Sequence, residues 1–432
     1  MPTSSDLDDR RDPGDQGHLG KRDAMVPARR ATEADRIDGV EVGQVVMAGD
    51  ATQVAGALRA ATEAGATVVA RGGGTKLDWG SPPQRADIIV DVSGLDDLVE
   101  HAAGDLVVRV GAGVRLRDLQ ECLAPAGQRL ALDEVVAGST VGGVIATGLS
   151  GPMRLVHGSV RDLLLGVTVA LADGRLVTSG GRVVKNVAGY DLGKLYTGSF
   201  GTLGIVTEAF LRLHPRPRRS AWVAVAVTRT DDVAPVVGAL GAAGVAPVAI
   251  EVHDGGGHGL EVVALLEGSA PGVDGRLNAA RHAVDLPALR TGAVTMMATA
   301  PPWWARLPGV GEGETLMKLT TTVAGVGPLL DAVRGAADHL VEVELSGSAG
   351  VGVLYAGLGS GSEPAAVGGV LAAARQACRA VGGAAVVLRT PPLTRAAIDA
   401  WGPVGALALM GRVKQGFDPH RVLAPGRFVG GI

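Results

Sequence analysis

Cysteine is almost missing from this chain: Cys122 and Cys378 are the two in 432 residues. Two thiols cannot hold an iron–sulfur cluster, a four-cysteine zinc site or a disulfide framework, so any iron–sulfur relay must sit on another chain. An excess of positive charge is missing too. Lys and Arg total 40 against 44 Asp and Glu, a formal net charge of −4, which gives no reason to expect a nucleic-acid partner, whose footprint is a basic patch. No stretch offers about 18 uninterrupted apolar residues, so no transmembrane segment is expected. The N-terminal stretch is charged and lacks the apolar segment of a secretory signal; residues 1–37 read as a disordered tail. These absences predict a cytoplasmic protein that reaches a membrane only through partner subunits. No internal repeat of fixed period is visible.

Glycine is what the chain has in excess. There are 66, roughly double the usual share of about 7%. With 47% hydrophobic residues, this is no flexible Gly/Ser polymer. At about 150 residues per domain the length suits two or three domains and a large core. The question is which glycines meet a ligand.

Asp50 is placed to cap a helix, with Gln53 at the capping-box position, Val54, Leu58 and Ala61 forming one apolar face, and Gly65 as a stop. Residues 67–70 read as a short buried strand running straight into Arg71-Gly72-Gly73-Gly74-Thr75-Lys76. Further strands are expected at 88–92 and 106–110, a helix at 116–123, and a long strand at 162–171. Its return at 176–179 follows Ala172-Asp173-Gly174, because Asp-Gly between apolar runs signals a hairpin. Residues 215–219 read as a linker. Beyond them, strands at 221–227, 248–252, 260–267 and 350–356 alternate with helices near 231–241, 327–340 and 363–381, an α+β unit with a mainly antiparallel sheet. Residues 411–428 read as a loop rich in Gly, Pro and Arg.

Three nucleotide-binding readings compete for the glycines. A P-loop needs G-x-x-x-x-G-K-[ST], which no stretch supplies. A dinucleotide fingerprint needs G-x-G-x-x-G; Gly111-Ala112-Gly113-Val114-Arg115-Leu116 begins well, but Leu116 stands where the third glycine must let helix and strand approach. Gly111 and Gly113 therefore read as strand-end and turn glycines. The third reading is a diphosphate cradle made of two separate loops, 71–76 and 138–148, whose successive N–H groups can nest an anion. Ser139 and Thr140 add hydroxyls to the second loop.

Six motifs occur in one order: R-G-G-G-T-K, G-S-T-V-G-G, H-G-S-V-R-D with a downstream A-D-G, K-N-V-A-G-Y-D, G-S-F-G-T-L-G-I-V-T-E, and F-D-P with a later P-G-R. In this order the chain resembles the vanillyl-alcohol-oxidase/PCMH-type family of FAD enzymes and, within it, the group of FAD-binding E subunits of bacterial glycolate oxidases. The likeness runs through residues 38–217 and 411–428 and is loose between 218 and 405. It implies an α+β fold: a two-subdomain PCMH-type FAD-binding domain at 38–217, a cap domain at 218–405, and a C-terminal segment at 406–432 that returns to the FAD domain. It places Arg71, Gly72, Gly73, Gly74, Thr75 and Lys76 around the pyrophosphate. Gly138, Ser139, Thr140, Gly142, Gly143, Ala146 and Gly148 would follow the pyrophosphate and ribityl side. Gly201, Gly204, Ile205 and Thr207 would lie along the adenosine and dimethylbenzene side, with the Ile205 backbone bonding adenine. Some relatives attach FAD through a His in the first loop. Thr75 stands at that position, so the FAD is expected to be non-covalent.

Relatives that oxidise D-2-hydroxy acids carry an H-x-G-D-G-N-x-H-type stretch in the cap. Its counterpart here, 346–356, has no His and no acid, although the reaction needs a group to take the hydroxyl proton and a cation to hold the carboxylate. What remains beside the flavin motifs is Arg154, His157, Lys185, Tyr190 and Arg427. Arg154 or Arg427 could clamp a carboxylate, and His157 or Tyr190 could act as base; His157 and Arg427 stand as the catalytic candidates against a structural role. His253-Asp254-Gly255-Gly256-Gly257-His258 reads as a hairpin turn rather than a metal site, since three glycines frame ligands poorly. Trp303-Trp304 reads as cap packing. The functional expectation is an FAD oxidoreductase subunit that passes electrons from a small 2-hydroxy acid to an iron–sulfur partner beside a paralogous FAD subunit. The rivals are a stand-alone FAD oxidase or dehydrogenase and a non-catalytic FAD-binding subunit.

Overall fold

The computed structural model describes residues 26–182, 190–242, 244–255, 259–285, 289–309 and 311–432. The first layer is a four-stranded sheet in the order Ala28–Arg30, Val42–Met47, Ala86–Asp91, Val68–Arg71; the last three are parallel and the first is antiparallel. The crossover between two of the parallel strands is the helix Ala51–Glu63, which buries Val54, Leu58 and Ala61 as its spacing predicts. Asp50 caps it by accepting from the Gln53 N–H, while the Gln53 side chain reaches back to the Gly49 N–H, one residue earlier than a capping box requires.

The chain is ordered earlier than expected. Residues 26–37 belong to the fold rather than to a tail. The strand Ala28–Arg30 pairs with Val42–Met47, and Ile37 is fully buried, a burial worth about 2 kcal/mol. Asp35 is buried too, and hydrogen bonds first from Arg29 and then from Arg71 hold its carboxyl well below the usual carboxylate range. Residues 1–25, where the rest of the expected tail falls, lie outside the described residues.

The second layer is an antiparallel sheet in the order Leu98–Ala102, Val107–Gly111, Ile205–Arg212, Leu164–Ala170, Leu176–Gly180. The hairpin at Asp173-Gly174 joins the last two, Ala170 facing Leu176. The long strand expected at 162–171 is instead a short helix, Val160–Leu163, followed by the strand Leu164–Ala170. The helix starts because Ser159 and Asp162 cap each other reciprocally.

Among the described residues, the region expected to form a cap carries one eight-stranded sheet, antiparallel throughout, and is called the cap. Residues 350–352, expected to open a strand, instead complete the turn of the hairpin between Val343–Ser348 and Val353–Leu358. Alternation sorts the sheet into two faces. Ile250, Val252, Leu345, Leu354, Ala356 and their neighbours pack with the cap helices. Glu251, His253, Ser346, Ser348 and Tyr355 take the opposite face, where Tyr355 joins the core of the five-stranded layer. Arg129, in the short strand Gln128–Arg129 that pairs with His214–Pro215, ties the first domain to Glu267 of the cap through a two-pronged ion pair.

Residues 411–428, expected to be a loop, contain most of the helix Leu407–Phe417. Its Lys414 is buried and donates to Asp418 and to the carbonyls of Thr202 and Leu423. The chain then returns to the first sheet, where Val68 and residues Val422 and Ala424 exchange backbone hydrogen bonds.

Candidate functional site

The parallel strand Val68–Arg71 ends in the 72–76 loop, which faces the helix Val141–Thr147 across a cleft of about 550 Å³ counting the space open to solvent. Gly72 to Leu77, Thr140, Gly143, Ala146, Thr147, Phe200, Gly201 and Arg427 line it. Among the described residues, no acceptor takes the N–H groups of Gly73, Gly74 and Thr75, so a row of backbone donors is left for something else.

The two glycine loops meet each other before they meet any ligand. A Cβ on Gly73 would sit 2.2 Å from the Gly138 carbonyl oxygen, and one on Gly72 would sit 2.4 Å from Thr140 Oγ1. These glycines therefore allow loop to approach loop, whereas at Gly201, with φ +75°, nothing lies within 4 Å of the Cβ position and the space is open to the cleft.

Two cations sit in this wall. Lys76 is 7% exposed, and its ammonium donates to Thr75 Oγ1 at 2.9 Å and Ser139 Oγ at 2.7 Å. Burial pushes it down to about 8, with Glu134 opposing. Arg427 is 3% exposed; it donates to the carbonyls of Lys76 and Trp79, while among the described residues its Nε finds no partner. Burial also pulls its guanidinium down, to about 10. Two desolvated cations beside unspent N–H donors make a site for an anion with several oxygens.

Arg71 does not join them. Its guanidinium is spent on Asp35 and Asp91 at 2.8–2.9 Å, so it braces the strand end beneath the loop. Other expected contacts also shape the cleft from behind. A Cβ on Gly142 would meet Ala112 Cβ at 2.7 Å, and one on Gly204 would meet Val169 Cγ1 at 2.4 Å. Gly148 caps the end of the helix in the left-handed region. Ile205 is buried opposite Ala170, and the Thr207 hydroxyl donates to the Thr168 carbonyl. Ser139 stands behind Lys76, and Gly138 offers its carbonyl to the Gly73 contact.

Beyond the C-terminal end of the same helix lies a second, narrow cavity, about 340 Å³ counting the space open to solvent, between the segment at residues 150–154 and the polar face of the cap. Ser150, Gly151 and Arg154 approach from the first domain; Glu251, Ser348, Tyr355, Trp303 and Arg306 come from the cap. Glu251 is 5% exposed and accepts from Ser348 Oγ at 2.5 Å. Burial pushes its carboxyl up to about 8. The 346–356 stretch indeed has no acid, but sheet register sets Val252 opposite Gly347 and so brings Glu251, from the neighbouring strand Ala249–Asp254, to Ser348. No sequence motif marks that pairing.

His157 and Tyr190 are placed elsewhere. The short helix Arg154–His157 turns Arg154 to the cavity and His157 to His214, ring centroids 4.4 Å apart and edge to face. Burial lowers both imidazoles, His214 to about 4. His157 lines neither the cleft nor the cavity, which corrects its reading as a base. Tyr190 is 92% exposed. Lys185 and His258 lie outside the described residues. His253 and Asp254 sit in the strand rather than a turn, and among the described residues no group of His, Cys, Asp and Glu could hold a metal. The His253 ring stacks on Trp303 at 4.6 Å, and Trp303 donates to Glu261; this Trp is a cavity wall that sequence reasoning had assigned to packing alone.

Residues 42–180 match the FAD binding domain family, and this segment is an FAD-binding domain. Among curated proteins, the chain is 35% identical over 188 residues to D-lactate dehydrogenase of Archaeoglobus fulgidus, covering 44% of this chain and 42% of that protein. It is 38% identical over 155 residues to glycolate oxidase subunit GlcE of Escherichia coli, covering 35% of this chain and 44% of that one. It is 34% identical over 202 residues to the uncharacterized FAD-linked oxidoreductase Rv2280 of Mycobacterium tuberculosis, covering 47% and 44%. The matches thus span less than half the length of these relatives. Among solved structures, p-cresol methylhydroxylase with substrate bound superposes with a TM-score of 0.69 at 17% identity, covering 90% of this chain and 89% of that one. Alkyldihydroxyacetonephosphate synthase gives 0.67 at 16%, covering 90% and 77%. The architecture is the α+β, PCMH-type FAD-binding fold. No helix among the described residues is long and apolar enough to cross a membrane.

Proposed function

We propose that this protein is an FAD-dependent oxidoreductase that oxidises a small 2-hydroxy acid and works as a subunit of a glycolate-oxidase-type complex. One observation carries the cofactor part: in a domain of the FAD-binding family, unspent N–H donors at Gly73, Gly74 and Thr75 converge with the buried cations Lys76 and Arg427 on one cleft. An orphaned Nε on Arg427 and open space at Gly201 fit an anionic dinucleotide on the structure's own terms. Lys76 and the loop amides would hold the diphosphate. Bound FAD supplies the two-electron acceptor. Thr75, where some family members carry an attaching His, leaves the cofactor non-covalent.

The substrate class follows from the relatives named D-lactate dehydrogenase and glycolate oxidase subunit and from the cavity that pairs Arg154 with an acid. Arg154 would orient a carboxylate, and the cap would exclude water from the reacting carbon. Onward electron transfer falls to a partner, since two cysteines cannot hold a cluster. The test is anaerobic: FAD-reconstituted protein mixed with glycolate, D-lactate or D-2-hydroxyglutarate should bleach its flavin absorbance, and acid precipitation should release the flavin into the supernatant. No bleaching, with or without the partner subunits, overturns the proposed reaction. Flavin that stays in the pellet overturns the non-covalent assignment.

A further inference from the structure

The cavity holds a side-chain arrangement that no motif assigns. We propose that Glu251 is the group that takes the substrate's hydroxyl proton, in a cavity where Arg154 holds the substrate's carboxylate. This rests on the proposed oxidation of a 2-hydroxy acid and gives it a proton acceptor.

Three features of the geometry carry it. Glu251 is the single carboxylate among the described residues that line the cavity, and it is nine-tenths buried with Ser348 fixing one oxygen. Arg154 donates to the carbonyls of Ser150 and Gly151, in its own turn. Those bonds aim the guanidinium without cancelling its charge, which suits it to a planar carboxylate. Last, cleft and cavity share one helix. Gly143, Ala146 and Thr147 of Val141–Thr147 line the cleft, and Ser150, Gly151 and Arg154, just beyond its end, line the cavity. At 1.5 Å per residue those seven residues span about 10 Å, so one bound molecule can reach from the anion site to the cavity mouth.

The chemistry balances. The substrate's α-C–H bond breaks and its electron pair leaves as hydride to the bound FAD, which is the oxidant. The O–H bond breaks, its proton goes to a Glu251 oxygen, and the C=O bond forms. The groups facing Glu251 are Arg154 and Arg306 in the cavity wall, Tyr355 on the neighbouring hairpin strand and His253 on its own strand, and the buried Asp133, outside the wall, acts on it through its charge. Burial is the main cause that holds the Glu251 proton, Arg154 opposes it, and Asp133 adds to it. Buried groups that exchange protons near neutral pH are suited to acid–base work.

The test uses FAD-reconstituted Glu251→Gln, Glu251→Asp and Arg154→Met proteins, checked first for wild-type flavin content and melting temperature. Glu251→Gln should slow flavin reduction by the best 2-hydroxy acid at least about 100-fold, and Glu251→Asp should recover part of that loss. The wild-type rate should rise with pH by up to about tenfold per unit below a midpoint near 8, and Glu251→Gln should lose that rise. Oxalate, a non-reacting dicarboxylate, gives a readout without turnover: its binding should weaken as pH rises through about 8 in the wild type, stay level in Glu251→Gln, and drop in Arg154→Met. A Glu251→Gln protein within threefold of wild type and with the same pH profile overturns the inference. If the wild type itself is not reduced, the substrate reading falls separately. Oxalate binding then still decides Glu251: a pH dependence lost in Glu251→Gln supports it as the proton-exchanging group, and one that survives the substitution overturns it.

Discussion

The cleft runs along one seven-residue helix and the cavity begins just past its C-terminal end, yet the two are built by different means. The cleft is made chiefly of backbone, with amide donors at 73–75 and a loop contact that only glycine permits at Gly73, and two buried cations, Lys76 and Arg427, are set in its wall. The cavity is made of side chains from separated segments: Arg154, Glu251, Trp303, Ser348 and Tyr355. Antiparallel register holds two of them together, and a domain interface closes the rest. Backbone recognition suits a ligand that many enzymes share, while side chains from a cap can change substrate and reaction without disturbing it.

The largest expected effect separates the two regions outright. Gly73→Val places a branched side chain against the Gly138 carbonyl, where even a Cβ would sit at 2.2 Å. Carbonyl backbone cannot yield cheaply, and overpacking of this kind costs about 1–3 kcal/mol. The loops should part and the protein should purify colourless, with a melting temperature several degrees lower. Stoichiometric yellow protein would mean that the loop contact does not organise the cleft. The reason differs from the one the sequence suggests: the glycine serves the second loop before it serves a phosphate.

The next experiment loosens the cavity and leaves the cleft intact. Arg129 and Glu267 are 14% and 9% exposed and join the first domain to the cap. Arg129→Ala strands Glu267 at that interface, a loss of about 2–3 kcal/mol for a partly buried pair. Flavin content should hold, while the melting temperature and the rate of flavin reduction fall. Glu267→Gln should cost a similar amount, and the double variant much less than the sum, because the two residues share one interaction. Additive losses would show that the pair does not couple the domains.

How much of this was legible beforehand follows the same division. The helix Ala51–Glu63 with its Asp50 cap, the Asp173-Gly174 hairpin and the first glycine loop depend on local pattern, and local pattern is what a sequence displays. The strand at 162–171 failed because Ser159 and Asp162 make a helix start whose two-ended cap outweighs an apolar run. The order of residues 26–37 was hidden because Asp35 is buried by pairing with Arg29 and Arg71, and in a sequence those charges look like a solvated tail. Arg71 was misread for the same reason: its partner Asp35 is 36 residues away. Glu251 left no trace at all. A single acid in an apolar strand becomes a site only when register sets Ser348 beside it and the first domain brings Arg154.

The two smallest effects ask which region sets the response to pH, since Lys76 in the cleft and Glu251 in the cavity are both brought to about 8, from opposite directions. Lys76 is lowered by burial from 10.5. The unfolded chain therefore binds more protons than the folded apoprotein between about 8 and 10.5, and apoprotein stability should rise with pH across that window. A diphosphate would restore the proton, so FAD affinity should fall above pH 8, by at most about tenfold per unit. Lys76→Met should weaken FAD overall and flatten both trends; if both survive, the ammonium is not the group that senses the anion. Lys76→Met should not move the pH midpoint of flavin reduction once FAD is saturating.

Ser348→Ala should move that midpoint and leave FAD affinity unchanged. The Ser348 hydroxyl stabilises the ionised Glu251 carboxyl and so opposes the upward push of burial. Deleting a hydrogen bond worth about 0.5–1.5 kcal/mol should raise the midpoint by up to about one pH unit, so the rate at pH 7 falls by up to about tenfold while the high-pH plateau stays. A midpoint that stays put in Ser348→Ala and shifts in Lys76→Met would hand the pH response to the cleft. The reverse pattern keeps it in the cavity, where a hydroxyl on one strand of the cap trims the acidity of a carboxyl on the next.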